Sequence, residues 1–188
     1  MKDIVMFNDK FKKIDDSYFS NYGGDEYPNS YLKYTTSPRL VVRDLIYNGI
    51  DFKSILDVGC ASGEVVRDFR RLGIEAYGVE NNAVILEKCV APDYCVQGDL
   101  YDMSEIKDSS IDVIYCNALM YVFPQDMVKV LKSFNRISRK AVFLCCPFLD
   151  NGNVANDPYR VFLAKKSWWE KQFKEANFKK ISDNIYAV

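Results

Sequence analysis

A chain of 188 residues, 48% hydrophobic and 14% aromatic, carries enough apolar side chain for one full core, and disorder over most of its length is excluded. Lys and Arg number 25 against 26 Asp and Glu, so the net charge is −1 and no broad basic field exists to hold a nucleic-acid duplex. Histidine is absent and none of the six cysteines (Cys60, Cys89, Cys95, Cys116, Cys145, Cys146) forms a C-x-x-C pair, so no metal centre is expected; reduced thiols acting as small apolar residues are the simpler reading.

The first 13 residues lack an apolar stretch of signal-peptide length, and the longest apolar run, 141–148, suits a buried strand and is too short to span a bilayer. A cytoplasmic protein without a membrane span is expected. Residues 1–36 are rich in Tyr, Phe, Lys and Asp without clear periodicity, and 21–29 is loop-like. Residues 1–50 read as an N-terminal cap on a core over 51–188, in a single domain. Within the cap, Tyr22, Tyr27, Tyr31 and Tyr34 are either packing residues or a cover over a ligand. A helix begins at Ser37, with Ser as N-cap, Pro38 at the first helical position and Asn48-Gly49 at the exit. Its buried face is Val41, Val42, Leu45 and Ile46.

From Ser54 strand and helix alternate. Strands are predicted over 54–58, 75–79, 94–97, 111–116 and 141–146, and helices over 64–72, 83–90 and 124–136. Gly73 caps the first of these helices. Residues 149–158 form a polar loop suited to a lid or substrate loop. Ser167-Trp168-Trp169-Glu170 is a capping-box pattern opening a helix with Trp169, Phe173 and Ala176 on one face, and Asn177 suits a left-handed C-cap. Two short strands follow, over 178–183 and 185–188. The expected fold is an open α/β sheet whose strand ends share one ligand-binding edge.

Four features fall at those ends. The turn Asp57-Val58-Gly59-Cys60-Ala61-Ser62-Gly63 lacks large side chains and leads into a helix N-terminus, so a ligand can lie against bare backbone N–H groups. Glu80 ends the second strand, where an acid can accept from both hydroxyls of a ribose. Asp99 follows the third, where a carboxylate can accept from an exocyclic amine. Asn117 follows the fourth. Each has a plain alternative, a turn or a solvated loop residue; their order and placement together carry the signal.

These motifs resemble those of the class I S-adenosylmethionine (SAM)-dependent methyltransferases. Asp57, Gly59, Ala61 and Gly63 match the first motif, Glu80 the ribose-binding acid and Asp99 the acid beside adenine. Residues 110–119 resemble the fourth-strand motif, and 167–178 the late W…F…A-G-F segment. The resemblance covers roughly three quarters of the chain and implies a Rossmann-like three-layer sandwich: a seven-stranded, mostly parallel sheet with the last strand antiparallel. It implies SAM as cofactor, S-adenosylhomocysteine as product, and cofactor contacts at Asp57, Gly59, Cys60, Ala61, Gly63, Glu80, Asn81, Asp99, Leu100 and Asn117. Among these, the Gly59 backbone meets the methionine part, the Leu100 amide approaches adenine, and the Asn117 carbonyl lies near the methionine amino group. Two departures stand out. Ala61 takes a place where Gly is commonest, and its methyl fits if the local dihedrals are not left-handed. The His that many relatives carry near the fourth or fifth strand is missing.

Methyl transfer from a sulfonium is an in-line displacement for which positioning supplies much of the catalysis, and a general base is needed only for a protonated nucleophile. With no His, the candidates are Tyr121, Asp157, Tyr159 and Arg160, each with surface or packing duty as its plain alternative. The lack of a recognition domain favours a small molecule, or an exposed group on a sugar, lipid-linked or peptide acceptor, methylated on O or N. Two other readings compete. A nicotinamide-binding Rossmann protein shares the strand-end acid, but its G-x-G-x-x-G spacing is not met here. A non-catalytic protein of the same fold is compatible with Ala61 and the missing His, but has no need of the acids Asp57, Glu80 and Asp99.

Overall fold

The computed structural model describes residues 3–7, 37–145, 148–149 and 159–188. The main sheet is built from β2 (Ser54–Val58), β3 (Glu75–Glu80), β4 (Cys95–Gln97), β5 (Ile111–Cys116), β6 (Ser138–Leu144), β8 (Lys179–Lys180) and β9 (Ile185–Ala187), in the order β4-β3-β2-β5-β6-β9-β8. Strands β4, β3, β2, β5 and β6 run parallel, and β9 is antiparallel to both β6 and β8. This is the predicted seven-stranded sheet with a reversed last strand.

Helices α1 (Pro38–Tyr47), α2 (Glu64–Arg71), α3 (Ala83–Leu86), α4 (Met127–Ile137) and α5 (Lys166–Glu175) accompany it. The side chains of β2 alternate between two apolar layers. Ile55 joins Val41 and Leu45 of α1 and Val66 and Phe69 of α2 on one face. Leu56 and Val58 join Leu131 and Phe134 of α4 and Trp169 and Phe173 of α5 on the other. Helices on both faces explain why every residue of β2 and β5 is buried and why these strands read as near-continuous apolar runs.

Several local readings shift. The helix expected over 83–90 stops at Leu86, because only Ile85 of α3 is buried and the Val90 N–H turns to the Ser62 carbonyl (2.9 Å). Asn82 caps this short helix, its Oδ1 accepting from the Val84 N–H (3.0 Å) and Ile85 N–H (3.3 Å). The segment expected to be helical from Pro124 begins as a 3-10 turn, Pro124–Asp126, before α4. The capping box at Ser167 is not used. Helix α5 starts at Lys166, and the Lys165 carbonyl accepts from the N–H groups of Trp168 (3.0 Å) and Trp169 (3.3 Å). Packing of Trp168 and Trp169 on Phe162 fixes the start of this helix more firmly than an exposed Ser can. Asn177 takes the expected left-handed conformation (φ 67°).

A separate antiparallel pair, β1 (Ile4–Met6) with β7 (Phe162–Ala164), has no counterpart in the sequence reading. Each strand has three residues, too few for periodicity to register. Tyr22, Tyr27, Tyr31, Tyr34 and Asp157 lie outside the described residues, as do most of the loop 149–158 and Cys146 at the predicted end of the fifth strand. Among the described residues no helix is long and apolar enough to cross a membrane.

Candidate functional site

The strand order sets the carboxyl end of β2 between those of β3 and β5, with β4 beyond β3. The turn 59–63 therefore faces Glu80 on one side and 117–118 on the other. Gly59 has φ 82°, and a Cβ there would lie 2.6 Å from the Ala118 Cβ, so this position requires glycine on both counts. The turn is tied to β3 by backbone bonds. The N–H groups of Gly59 and Cys60 both donate to the Val79 carbonyl (2.8 and 3.1 Å), and the Gly63 N–H donates to the Cys60 carbonyl (2.9 Å).

Glu80 completes this frame. Its Oε2 accepts from the Ala61 N–H (3.0 Å) and its Oε1 from the Asn82 N–H (2.9 Å). The expectation of bare N–H groups is thus corrected: those of Gly59, Cys60, Ala61 and Gly63 are all bonded within the protein. The loop is braced by its neighbours and can present close-packed backbone to a ligand, and each Glu80 oxygen keeps a second lone pair for an incoming hydroxyl. Ala61 has φ 49°, so the condition under which its methyl fits without strain is not met. The Glu80 bond to its N–H holds it in a region that costs an L-residue about 1–2 kcal/mol.

The electrostatics are one-sided. Asp57 is buried at the middle of the site, and burial first, then the charges of Cys95, Glu80 and Glu64, push its carboxyl well above the ordinary value. Burial also raises Glu80, against the bonds from Asn82 and Ala61. Glu64, the first residue of α2, is buried and accepts from the Ser62 hydroxyl on both oxygens (2.9 and 2.8 Å). Burial is the largest cause of its raised carboxyl too. Glu64 and Ser62 escaped the sequence reading; an acid directly after the small-residue turn, at a helix N-terminus, was the available signal. Three carboxyls gathered at the strand ends suit a cationic ligand.

At the far side, the Gly98 N–H donates to the Glu80 carbonyl (3.0 Å), which sets β4 and the 98–102 turn beside the site. Asp99 is exposed and its Oδ1 accepts from the Tyr101 N–H (2.9 Å), while Leu100 is half-buried behind it. Asn81 is exposed, with its carbonyl accepting from Gln97 Nε2 (3.3 Å). Asn117 is half-buried after β5. Tyr121 ends the 3-10 turn Leu119–Tyr121, and the Val161 N–H donates to the Met120 carbonyl (3.0 Å), so Tyr159 and Arg160, both buried, come beside it. Three of the four catalytic candidates thus gather after β5, and the fourth, Asp157, is outside the described residues. Among the described residues no cluster of His, Cys, Asp or Glu is arranged to hold a metal ion.

Residues 56–146 match the family model of a methyltransferase domain. A SAM-dependent methyltransferase from Archaeoglobus fulgidus is similar in fold at 19% identity, with 79% of this chain and 72% of that one covered and a TM-score of 0.63. DesVI from Streptomyces venezuelae is similar at 14% identity over 94% of this chain and 99% of that one, with a TM-score of 0.71. An S-adenosylmethionine-dependent methyltransferase from Clostridium acetobutylicum is similar at 11% identity over 91% and 96%, with a TM-score of 0.65. At these identities the likeness is one of fold. No curated protein matches the sequence. The family-model match covers just under half of the chain, and the fold around it is the one these SAM-dependent methyltransferases share.

Proposed function

We propose that this chain is a class I SAM-dependent methyltransferase with S-adenosylmethionine as its cofactor, and that it transfers the methyl group to an O or N atom of a small molecule, or of an exposed group on a glycan, lipid-linked or peptide acceptor. The observation that carries the cofactor side is Glu80, fixed between the Ala61 and Asn82 N–H groups at the edge where the strands end. In this reading Glu80 accepts from the ribose hydroxyls, and Asp99 with the Leu100 amide holds the adenine. The Gly59–Gly63 turn and Asn81 close around the nucleoside. Asp57 and the Asn117 carbonyl face the charged methionine end.

The bound cofactor supplies an activated methyl group on a sulfonium. The chain's own residues then have to align the acceptor and exclude water. Any proton removed from the acceptor goes to a group other than histidine. Tyr121, Tyr159 and Arg160 stand together beyond Asn117 and are the residues nearest in the fold to that task, Arg160 as a charge that orients an acceptor and the tyrosines as hydrogen-bonding groups. Asp157 is proposed on sequence position alone.

Calorimetric titration with S-adenosylhomocysteine, with NADH as comparison, tests the cofactor assignment. Saturable binding of the first alone is expected, and a preference for NADH overturns it. Glu80→Ala is expected to weaken S-adenosylhomocysteine binding by about 1–3 kcal/mol. Unchanged affinity in a folded variant removes Glu80 from the ribose site. A screen of acceptors with methyl-labelled SAM then tests the acceptor class, and label entering only duplex nucleic acid contradicts it.

A further inference from the structure

Three cysteines converge behind the cofactor turn. A Cβ on Gly63 would meet the Cys89 Sγ at 2.7 Å and the Cys95 Sγ at 3.0 Å, and one on Gly78 would meet the Cys60 Sγ at 2.5 Å and the Cys95 Sγ at 2.9 Å. The space that two glycines leave empty is therefore filled by three sulfurs, with Cys95 at the centre. Cys60 is buried within the turn; Cys89 and Cys95 are half-buried and closer to solvent. Cys95 lies on β4, and Cys89 lies in the segment that follows α3, which is stitched to the turn by the Val90 N–H bond to Ser62 (2.9 Å).

We propose that Cys95 and Cys89 are a thiol pair that hydroperoxides convert to a reversible disulfide, and that this bond weakens SAM binding by displacing the turn at Gly63. The site is chemically suited to the reaction. Hydrogen bonding from Cys60 first, and also from Cys89, holds the Cys95 thiol below its ordinary value despite burial, which makes it the readiest of the three to ionise. Burial keeps Cys89 protonated, at about 11. The Cys95 thiolate attacks the terminal peroxide oxygen, an S–O bond forms, the O–O bond breaks, and the departing hydroxide (alkoxide from an organic hydroperoxide) takes up a proton from solvent to become water (or an alcohol). The Cys89 sulfur, giving up its proton, then attacks the Cys95 sulfenic sulfur; an S–S bond forms and the oxygen leaves as water. Two electrons pass from the thiols to one peroxide.

A disulfide requires an S–S separation of about 2.05 Å, shorter than the hydrogen-bonding contact the two thiols keep in the reduced protein, so the sulfurs must close on each other and at least one shifts in its seat beside Gly63. The Cys89 segment carries the Val90 N–H with it, so the Ser62 carbonyl and the turn lose their support. The effect on binding rests on the cofactor reading proposed above and is independent of the acceptor.

Reduced and hydrogen peroxide-treated protein are compared by peptide mass mapping of thiols and by calorimetric titration with S-adenosylhomocysteine. A Cys89–Cys95 linked peptide, with affinity at least fivefold weaker and restored by dithiothreitol, is expected. Cys89→Ser is expected to bind normally when reduced and to lose the peroxide sensitivity. A Cys60–Cys95 link, overoxidation of Cys95 without any link, or a Cys89–Cys95 link with unchanged affinity overturns the proposal. Reduced protein that fails to bind S-adenosylhomocysteine counts against the cofactor contacts instead, and the mass map still decides whether the disulfide forms.

Discussion

Ala61 occupies left-handed backbone (φ 49°) while donating its N–H to Glu80. A glycine would meet the same hydrogen bond without a Cβ opposing it, at the cost of a more flexible unfolded chain. The strain of about 1–2 kcal/mol outweighs that entropy cost of about 0.4–1 kcal/mol, so Ala61→Gly is expected to stabilise the fold by about 0.5–1 kcal/mol. Urea denaturation measures it; a stability equal to or below that of the parent shows that the alanine is unstrained. Ser62 and Glu64 add a second constraint on the same turn. The Ser62 hydroxyl bonds both oxygens of a buried carboxyl, so the turn is anchored to the helix that follows it as well as to β3.

At the scale of the element, β3 shows how closely the turn is packed from behind. Gly78 pairs with Asp57 on one side and Cys95 on the other, and its missing side chain makes room for the Cys60 and Cys95 sulfurs. Gly78→Ala is expected to destabilise by about 1–3 kcal/mol through overpacking, and adding Cys95→Ala is expected to recover part of that loss. Chemical denaturation of the two single variants and the double variant reads the coupling, and additive effects remove the sulfur contact as the cause. The buried strands were legible in the sequence because helices cover both faces and leave unbroken apolar runs, as in residues 111–116. The strand-end acids were legible because α/β topology brings strand ends together. What escaped were features set by tertiary contact alone. Leu86 ends α3 because the Val90 N–H has a partner in the turn, and α5 starts early because Trp168 and Trp169 dock on Phe162. The cysteines read singly as small apolar residues, and only the tertiary packing of the turn, the segment after α3 and β4 gathers Cys60, Cys89 and Cys95.

Across the whole molecule, two buried aspartates at opposite ends of the sheet titrate in opposite directions. Asp112 lies where the β5–β6 register shifts, and it accepts from the Lys53 N–H (2.8 Å), the Ser54 N–H (3.3 Å) and Arg139 Nε (2.8 Å), tying the amino ends of β2, β5 and β6. Burial works against its charge, but the Lys53 bond and then Arg139 hold its carboxyl below the ordinary 3.8. A depressed carboxyl contributes stability that is present above 3.8 and is lost as the pH falls through its folded value. Asp57, at the carboxyl end, is raised by burial and by neighbouring negative charge. The folded protein therefore holds its proton longer than the unfolded chain does, and this group's contribution to stability declines as the pH rises above 3.8. A bound cation favours the ionised form, so SAM affinity is expected to increase with pH across the range in which Asp57 gives up its proton. Titrations at several pH values check this, and Asp57→Asn is expected to flatten the dependence. Asp112→Ala is expected to cost about 2–3 kcal/mol of stability, at the low end for a broken buried pair because Arg139 stays partly solvated. Because Asp112 braces the end of the sheet remote from the strand-end turns, S-adenosylhomocysteine affinity in the folded variant is expected to match the parent's. A matched pair of thermal melts and calorimetric titrations separates the two effects, and a several-fold loss of affinity in folded Asp112→Ala would show that the two ends of the sheet are coupled.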